Sequence, residues 1–251
     1  MSHPLGKLVA HRAGLSRRLA GRAIRRGRVR VDGQPLTDPR AVISDGAEIS
    51  LDARPLPRPP DLVVWHKPTG IQCTVGDPHG RPSLSTEAAE PLQLGLHPVG
   101  RLDADTSGLL LFTRDGALTQ HLLHPRRQLP RTYLASVDPP PDDALIERVA
   151  AGIETAAGVF TGRIELLGGS TLHITVREGK HRMVRRMMAN AGHPVITLRR
   201  LSFGPFELGG LQPGAWRLPT DAERDWARDA LQRADGGCGA HHGGAGGGQR
   251  R

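Results

Sequence analysis

Apolar and polar positions alternate with two different periods along the chain. Apolar side chains between residues 5 and 9 have helical spacing, and Ser16 can cap a second helix that Gly27 would end. Residues 28–31 and 47–51 instead alternate as strands do. The N-terminal part is therefore predicted to hold two short helices followed by strands.

The second of these helices has an apolar side and a basic side. The apolar side carries Leu19, Ala20, Ala23 and Ile24. The opposite arc carries Arg18, Arg22, Arg25 and Arg26. One interpretation is a basic helix face exposed to solvent. Contact with RNA is favoured, because the arginines cluster without acidic residues between them.

Residues 54–60 are dense in proline, which excludes helix and favours an extended linker. After this stretch many short apolar runs predict strands at Leu62 to Trp65, Leu109 to Phe112, Tyr133 to Val137, Thr171 to Val176 and Val195 to Leu201. Helices are predicted at Ala117 to Leu123, Pro141 to Ala151 and Arg182 to Ala191. The fold class predicted is α+β, with a small helix-helix-strand module and a larger, mainly antiparallel β-sheet domain flanked by helices.

The net charge of the chain indicates which class of binding partner to expect. The formal charge is +9, and residues 1–58 hold twelve Lys and Arg against five Asp and Glu, which indicates a polyanion such as nucleic acid. No apolar run approaches the ~20 residues of a membrane-spanning helix, and the start of the chain lacks the pattern of a signal peptide, so a cytoplasmic protein is expected. Two cysteines, Cys73 and Cys238, cannot form a disulfide framework or a zinc cluster. No metal site is predicted, and residues 234–251, rich in Gly and His, are predicted to be disordered.

The candidate for chemistry is Asp103, in a polar turn between Gly100 and Gly108 directly before an apolar run. Arg101 and Arg114 flank this stretch, and basic neighbours keep a carboxylate ionised. Spacing alone favours the plainer interpretation, in which Asp103 and Asp105 hydrogen-bond within a turn.

The run from His97 to Gly116, HPVGRLDADTSGLLLFTRDG, resembles the signature of the RsuA-like bacterial ribosomal RNA pseudouridine synthases. That resemblance implies that Asp103, and not Asp105, is the catalytic residue. Three further segments are similar to the family in order and spacing: Lys67 to Gly70, Arg131 to Tyr133, and Glu178 to Met187.

The resemblance also implies roles for other residues. Tyr133 would pack against the target base, and Arg185 would form an ion pair with Asp103. Substrate-binding residues are predicted to be Arg101, Lys67, Lys180, Arg182, Arg186, Arg18, Arg22 and Arg25. From the residues alone, Tyr133 could equally be an ordinary strand aromatic, and the basic run from Lys180 to Arg186 an exposed helix face.

Residues 5–33 resemble an RNA-binding module found in a ribosomal small-subunit protein. The predicted organisation is thus an RNA-binding module at 1–54, a linker at 55–60 and a catalytic domain at 61–226. The segment from Asp77 to Pro82 is similar to members that act on large-subunit RNA, so large-subunit ribosomal RNA is the favoured partner of a chain predicted to be a monomer.

The predicted reaction is isomerisation of uridine to pseudouridine, which breaks the bond from N1 to the ribose and rejoins the base through C5. It requires no cofactor, but a carboxylate must act at the ribose, as nucleophile or as base. The target base must leave its stack, and an aromatic ring can replace the stacking it gives up. Two other classes remain open: a non-catalytic RNA-binding or ribosome-assembly factor, and a glycosidase using Asp103 and Asp105.

Overall fold

The computed structural model describes residues 2–44, 46–58, 60–76 and 79–235. The chain forms two compact units, Met1–Pro60 and Asp61–Arg251. The predicted tail lies outside the described residues from 236 onward, as do Asp77 and Pro78 of the segment similar to large-subunit enzymes. Within the described part, no helix is both long and apolar enough to cross a membrane.

The first unit contains two helices and two small sheets. Its elements are β1 (Ser2–Pro4), α1 (Leu5–Arg12), α2 (Arg17–Arg25), β2 (Val29–Val31), β3 (Gln34–Pro35), β4 (Val42–Ser44), β5 (Ile49–Leu51) and β6 (Arg54–Leu56). One sheet has the order β3-β2-β5-β6, and β1 pairs with β4. A small core of apolar side chains from both helices and from β2 and β5 holds this unit together.

The helix α2 begins and ends as its sequence predicts. The Ser16 hydroxyl accepts a hydrogen bond from the Leu19 amide at 3.3 Å, and Gly27 has a φ of +71°. Leu19 was predicted on the packed side but is 44% exposed. Since successive helical residues turn by about 100°, Leu19 lies about 90° from the centre of the side formed by Ala20, Ala23 and Ile24.

The second unit is built on a large sheet with flanking helices. Its strands are β7 (Leu62–Lys67), β8 (His97–Pro98), β9 (Thr106–Thr113), β10 (Arg131–Val137), β11 (Ile153–Thr155), β12 (Gly158–Phe160), β13 (Arg163–Gly168), β14 (Thr171–Val176), β15 (Val195–Phe203), β16 (Phe206–Glu207) and β17 (Trp216–Arg217). Its helices are α3 (Leu84–Glu87), α4 (Ala89–Gln93), α5 (Gly116–Leu123), α6 (Asp143–Ala151), α7 (Met183–Asn190) and α8 (Asp221–Asp235), with one 3₁₀ turn at Pro125–Arg127.

The large sheet has the order β13-β14-β10-β15-β9-β7-β17, with β16 beside β15 and β8 beside β9. Among its described strands, β15 and β9 run parallel, and the other pairs are antiparallel. The predicted α+β class with a mainly antiparallel sheet is therefore confirmed. All five strands expected in this unit are present, as are its three expected helices.

Apolar side chains cover both faces of the sheet centre. In β9, Leu110 and Phe112 belong to the core on one face, and Leu109 and Leu111 to the core on the other. This alternation explains why β9 has a continuous apolar sequence, since a strand buried on both faces has no solvent-facing positions. The polar turn that carries Asp103 leads directly into β9, so this buried strand fixes one end of the turn.

The helix α8 was not predicted, and it extends past residue 226, where the catalytic domain was expected to end. Its apolar residues Trp226, Ala227, Ala230 and Leu231 recur at helical spacing and form one narrow face. Trp226 and Ala227 pack against the core that contains Leu109 and Leu111. The predicted boundary therefore cuts through an element that belongs to the folded unit.

Candidate active site

A tight turn carries Asp103 at the entrance to β9. The Thr106 amide donates to the Asp103 carbonyl at 3.0 Å, and the Gly70 amide donates to the Ala104 carbonyl at 2.7 Å. These bonds fasten the turn to itself and to the loop after β7. The Asp103 side chain retains 27% exposure, so its carboxylate is held at the edge of the sheet while remaining accessible.

Lys67 stabilises this turn from the buried side and does not reach the cleft. Its side chain is fully buried, and its ammonium donates to the carbonyls of Pro68 at 3.0 Å, Asp103 at 3.1 Å and Thr106 at 3.0 Å. Burial lowers the pKa of this ammonium below its ordinary value. The prediction that Lys67 contacts substrate is therefore corrected, because its donors are committed to backbone carbonyls beneath the turn.

A cleft of about 230 Å³ opens beside Asp103. It brings together residues that lie far apart in sequence. The predicted residues among its lining are Arg101, Asp103, Tyr133, Lys180, Arg182 and Arg185. A carboxylate, an aromatic ring and several cations therefore share one cavity.

Arg185 was predicted to pair with Asp103, but it pairs with Asp105. Its Nε lies 3.2 Å from Asp105 Oδ2, and its two terminal nitrogens donate to the carbonyls of Asp105 at 2.8 Å and Val195 at 2.9 Å. Within the described residues no ion pair joins Arg185 to Asp103. The reason is geometric: α7 presents Arg185 to the second carboxylate of the turn, where a backbone carbonyl adds a further acceptor.

Asp105 is held by two arginines. Arg182 binds it through two hydrogen bonds of 3.1 and 2.9 Å, and Arg185 adds the ion pair described above. Although burial by itself raises the pKa of Asp105, these hydrogen bonds and charges outweigh it, so the pKa lies below its usual value. Asp105 thus joins the turn to α7 and does not line the cleft.

Among the described residues, the basic side chain within 4 Å of the Asp103 carboxylate is a histidine that was not predicted. His181 Nε2 lies 3.9 Å from Asp103 Oδ1. Arg114, which was expected to keep Asp103 ionised, lies beyond the far end of β9 and forms an ion pair with Asp61 at 3.2 Å. Sequence proximity misled the prediction here, because an eight-residue strand separates Arg114 from the turn.

Tyr133 lies on the cleft floor, in a row of neighbours across the sheet. It is buried, and its register partner on β15 is Arg200, whose own partner on β9 is Gly108. Gly108 has a φ of +107°, and a Cβ there would lie 2.2 Å from the Arg200 carbonyl oxygen. Only glycine therefore lets β9 and β15 approach this closely.

The remaining predicted cations lie at the rim or elsewhere. Lys180 lies over the Phe160 ring at 4.8 Å and 3.4 Å from Glu178. Arg186 is exposed, outside the cleft lining, with a terminal nitrogen 3.4 Å from His181. The N-terminal cations Arg18, Arg22 and Arg25 are exposed on α2 of the first unit.

Arg131, Arg200 and Thr106 also line the cleft, although none was among the predicted site residues. Arg131 is buried with its guanidinium 4.5 Å from the Phe203 ring centre, and burial lowers its pKa. A signal for Arg200 was present in the sequence: it occupies an inward position of a predicted strand, where a charged residue is unusual.

Two family models match the chain. One, described as RNA pseudouridylate synthase, matches residues 61–190, and the other, an S4 domain, matches residues 4–49. The first covers more than half of the chain. The chain belongs to the RNA pseudouridylate synthase family. This enzyme is accordingly an isomerase with an additional S4 domain at its N-terminus.

Relatives of this synthase match it over most of their length. An uncharacterized RNA pseudouridine synthase of Mycobacterium tuberculosis is 37% identical over 85% of this chain and 88% of its own. Ribosomal large subunit pseudouridine synthase B of Bacillus subtilis is 33% identical over 87% of this chain and 93% of its own. Ribosomal small subunit pseudouridine synthase A of Escherichia coli is 33% identical over 87% of this chain and 97% of its own.

Among solved structures, a pseudouridylate synthase superposes with a TM-score of 0.62 at 29% identity. The match covers 90% of this synthase and 99% of the other chain. The fold and the family assignment therefore agree along nearly the whole sequence.

Proposed function

We propose that this synthase isomerises a uridine of ribosomal RNA to pseudouridine, with Asp103 as its catalytic carboxylate. The observation that carries the proposal is the cleft in which Asp103 faces Tyr133 among several cations. Relatives named as ribosomal large- and small-subunit pseudouridine synthases support ribosomal RNA as the substrate class.

Asp103 is preferred over Asp105 because of what surrounds each carboxylate. Both oxygens of Asp105 accept hydrogen bonds from Arg182, and Arg185 lies against one of them. Asp103 lines the cleft, and the imidazole of His181 lies 3.9 Å from one of its oxygens. A carboxylate that attacks a sugar carbon or removes a sugar proton needs an oxygen free of such bonds. Asp103 meets that condition.

Tyr133 is proposed to stack on the target base. A base inside an RNA helix cannot reach a cleft of this kind, so the target nucleotide has to turn out of its stack. An aromatic ring on the cleft floor compensates for part of the stacking energy that the base gives up. Arg101, Lys180 and Arg182 at the cleft are proposed to bind the neighbouring phosphates, which cations attract without reading sequence.

The two units are proposed to have separate functions, RNA binding in the first and the isomerisation in the second. The predicted linker, residues 55–60, overlaps β6, which pairs with β5, so the RNA-binding module is proposed to extend from residue 1 through Leu56. The domain from residue 61 carries out the reaction in the cytoplasm. Large-subunit RNA is the favoured target because of the segment from Asp77 to Pro82. The enzyme is proposed to work as a monomer without a cofactor.

Replacing the carboxylate tests the assignment. Asp103→Asn and Asp103→Ala should form no pseudouridine in unmodified ribosomal RNA transcripts, measured by carbodiimide mapping, while RNA affinity stays within about twofold. Asp105→Asn is the matched comparison and should retain measurable activity, because it alters the turn and spares the reacting group. Product formation by either Asp103 variant would refute the role of Asp103.

Two further outcomes distinguish the alternatives. A wild-type protein that binds RNA and yields no pseudouridine would be a non-catalytic RNA-binding factor. Release of free uracil would indicate glycosidase chemistry. Mapping pseudouridines in ribosomal RNA from cells with and without the gene would name the target uridine directly.

A further inference from the structure

Two polar side chains on the cleft floor have unused hydrogen-bonding groups. Arg200 is 4% exposed and Thr106 is 2% exposed, and both line the cleft with Asp103 and Tyr133. Among the described residues, neither Arg200 Nη2 nor Thr106 Oγ1 has a hydrogen-bond partner. Each residue therefore lines the cleft and carries a buried polar atom without a hydrogen-bond partner.

The two groups face the same side of the sheet. Strand β9 pairs in parallel with β15, with Leu198 opposite Thr106 and Arg200 opposite Gly108. Residues two apart on a strand point to one face, so Thr106 and Arg200 project to the face that also carries Tyr133. The unpaired atoms and the aromatic ring thus belong to one surface.

The Arg200 guanidinium is held in place although its Nη2 has no hydrogen-bond partner. Its Nε donates to the Leu109 carbonyl at 2.8 Å, and its guanidinium carbon lies 5.2 Å from the centre of the Phe203 ring. Within the described residues no carboxylate forms an ion pair with it. A buried polar group without a partner costs about 1–3 kcal/mol, and more when charged. Such an arrangement is expected where a ligand supplies the missing partner.

We propose that Arg200 is a catalytic residue that, together with Thr106, binds the polar edge of the flipped uracil and stabilises the negative charge that the base acquires during the reaction. Uracil offers two carbonyl oxygens and one N–H along this edge. A guanidinium donates to a carbonyl oxygen, and a hydroxyl can donate or accept. The two unpaired groups therefore complement uracil chemically, next to the ring proposed to stack on it.

The negative charge on the uracil follows from the steps of the isomerisation. The inference about Arg200 and Thr106 therefore rests on the proposed function. When the bond from N1 to C1′ breaks, its electron pair stays on N1, and the uracil anion delocalises this charge onto its carbonyl oxygens. Asp103 acts at the ribose, the base turns, and C5 bonds to C1′. The proton on C5 then leaves to a base or to water, and N1 gains a proton, so the product is an isomer. A fixed cation at a carbonyl oxygen lowers the energy of the anionic stage.

The test compares two neighbouring arginines. Arg199 follows Leu198 on β15, is exposed and points to the opposite face from Arg200, so Arg199→Gln is a charge-matched control for Arg200→Gln. Isomerisation releases the C5 proton, so the rate can be followed as tritium release from ribosomal RNA transcripts labelled at C5 of uridine, with enzyme in excess. RNA affinity and thermal unfolding are measured for the same samples.

Arg200→Gln should lower the single-turnover rate about 100- to 1000-fold, as loss of one charge-stabilising donor does, with RNA affinity within about twofold of wild type. Arg199→Gln should leave the rate within about twofold. A folded Arg200→Gln that keeps the wild-type rate would overturn the proposal. So would a loss confined to RNA affinity with a weaker salt dependence, since this would assign Arg200 to a backbone phosphate.

A second variant covers the possibility that Arg200→Gln does not fold. Thr106→Val keeps the shape of the side chain and removes its hydroxyl; it should lower the rate about tenfold with RNA affinity unchanged, and an unchanged rate would overturn the proposal. Wild-type enzyme that releases no tritium would refute the proposed function itself. Active wild type alongside fully active variants refutes only the role of Arg200 and Thr106.

Discussion

At the scale of the residue, the turn before β9 is stabilised by charge from two directions. The buried ammonium of Lys67 binds carbonyls on its inner side, and Arg182 and Arg185 bind Asp105 on its outer side. Backbone carbonyls in a buried turn need donors, and an ammonium has three. Asp103 is thereby fixed in position through its backbone, which leaves its carboxylate to the cleft.

Loss of the buried ammonium should destabilise the protein. Lys67→Met keeps an unbranched side chain of similar length but removes the ammonium that the Pro68, Asp103 and Thr106 carbonyls share. The free energy of unfolding should fall by about 2–4 kcal/mol, since each unpaired buried group costs about 1–3 kcal/mol. Urea denaturation measures this change.

Lys180→Met is the matched control because the Lys180 side chain is more than half exposed. It should change the free energy of unfolding by no more than about 0.5 kcal/mol. Equal stability of Lys67→Met and Lys180→Met would contradict a structural role for Lys67.

At the scale of the element, α8 is joined to the sheet by apolar packing and by one buried carboxylate. The side chain of Glu223 is 5% exposed and binds both terminal nitrogens of Arg217 on β17, at 2.7 and 2.8 Å. It also accepts from the amides of Thr220 and Glu207, at 2.7 and 3.1 Å. Burial alone raises the pKa of Glu223, but these bonds outweigh it and hold the pKa below its ordinary value. The first turn of α8 is thus fixed by an ionic contact, in addition to the packing of Trp226 and Ala227 on the core.

Removing this charge should lower stability in a pH-dependent way. Glu223→Gln should lose about 2–4 kcal/mol of unfolding free energy at pH 7, since it leaves Arg217 unpaired. Because the folded pKa of Glu223 is depressed, its contribution is complete above the unfolded value of about 4.3 and is lost as the pH falls through the folded pKa. The difference between wild type and Glu223→Gln should therefore narrow below about pH 4.

Asp221→Asn is the control for this series, since the Asp221 side chain is 91% exposed. Its effect should not exceed about 0.5 kcal/mol. Thermal or urea unfolding across pH 3–8 measures both variants. A difference for Glu223→Gln that stays constant down to pH 3 would contradict the ionic role of this carboxylate.

At the scale of the whole molecule, positive charge is concentrated in the first unit. Residues 1–58 account for a net +7 of the total +9, and the arginines of α2 are exposed. A cationic surface attracts RNA through its phosphates, and the resulting affinity falls as salt rises. Binding and chemistry are therefore expected to respond to different substitutions.

Neutralising α2 should weaken RNA binding and spare the reaction. The triple variant Arg18→Gln, Arg22→Gln, Arg25→Gln should bind ribosomal RNA less tightly, and the slope of log affinity against log salt should shrink by about 0.7–0.9 for each phosphate that the protein no longer neutralises. The single-turnover rate at saturating enzyme should stay within about twofold.

A control of equal charge uses exposed arginines of the second unit. Its substitutions are Arg163→Gln, Arg224→Gln and Arg228→Gln. This control should leave the salt slope nearly unchanged. Equal loss of affinity in both triple variants would show that net charge, and not α2, determines binding.

Local patterns in the sequence determined much of the architecture. The period-2 run Thr171–Val176 and the cap and stop of α2 at Ser16 and Gly27 each depend on neighbours in the chain, and the structure has them as predicted. The signature around Asp103 also depends on neighbours in the chain, because contiguous residues carry the family resemblance. The helix α8 was missed although Trp226, Ala227, Ala230 and Leu231 recur at helical spacing, because this apolar face is narrow and two of its four members are alanines.

Only the tertiary structure decided which distant groups meet. The sequence places Lys67, Asp103, Asp105 and Arg185 in separate segments, and it contains no measure of which carboxylate the arginine reaches or of how deeply the lysine is buried. Strand periodicity assigns Thr106 and Arg200 each to a face, but the parallel pairing of β9 with β15 makes those faces one surface. Pairing between remote strands and the burial of charge depend on the whole fold, and these two quantities determine the cleft.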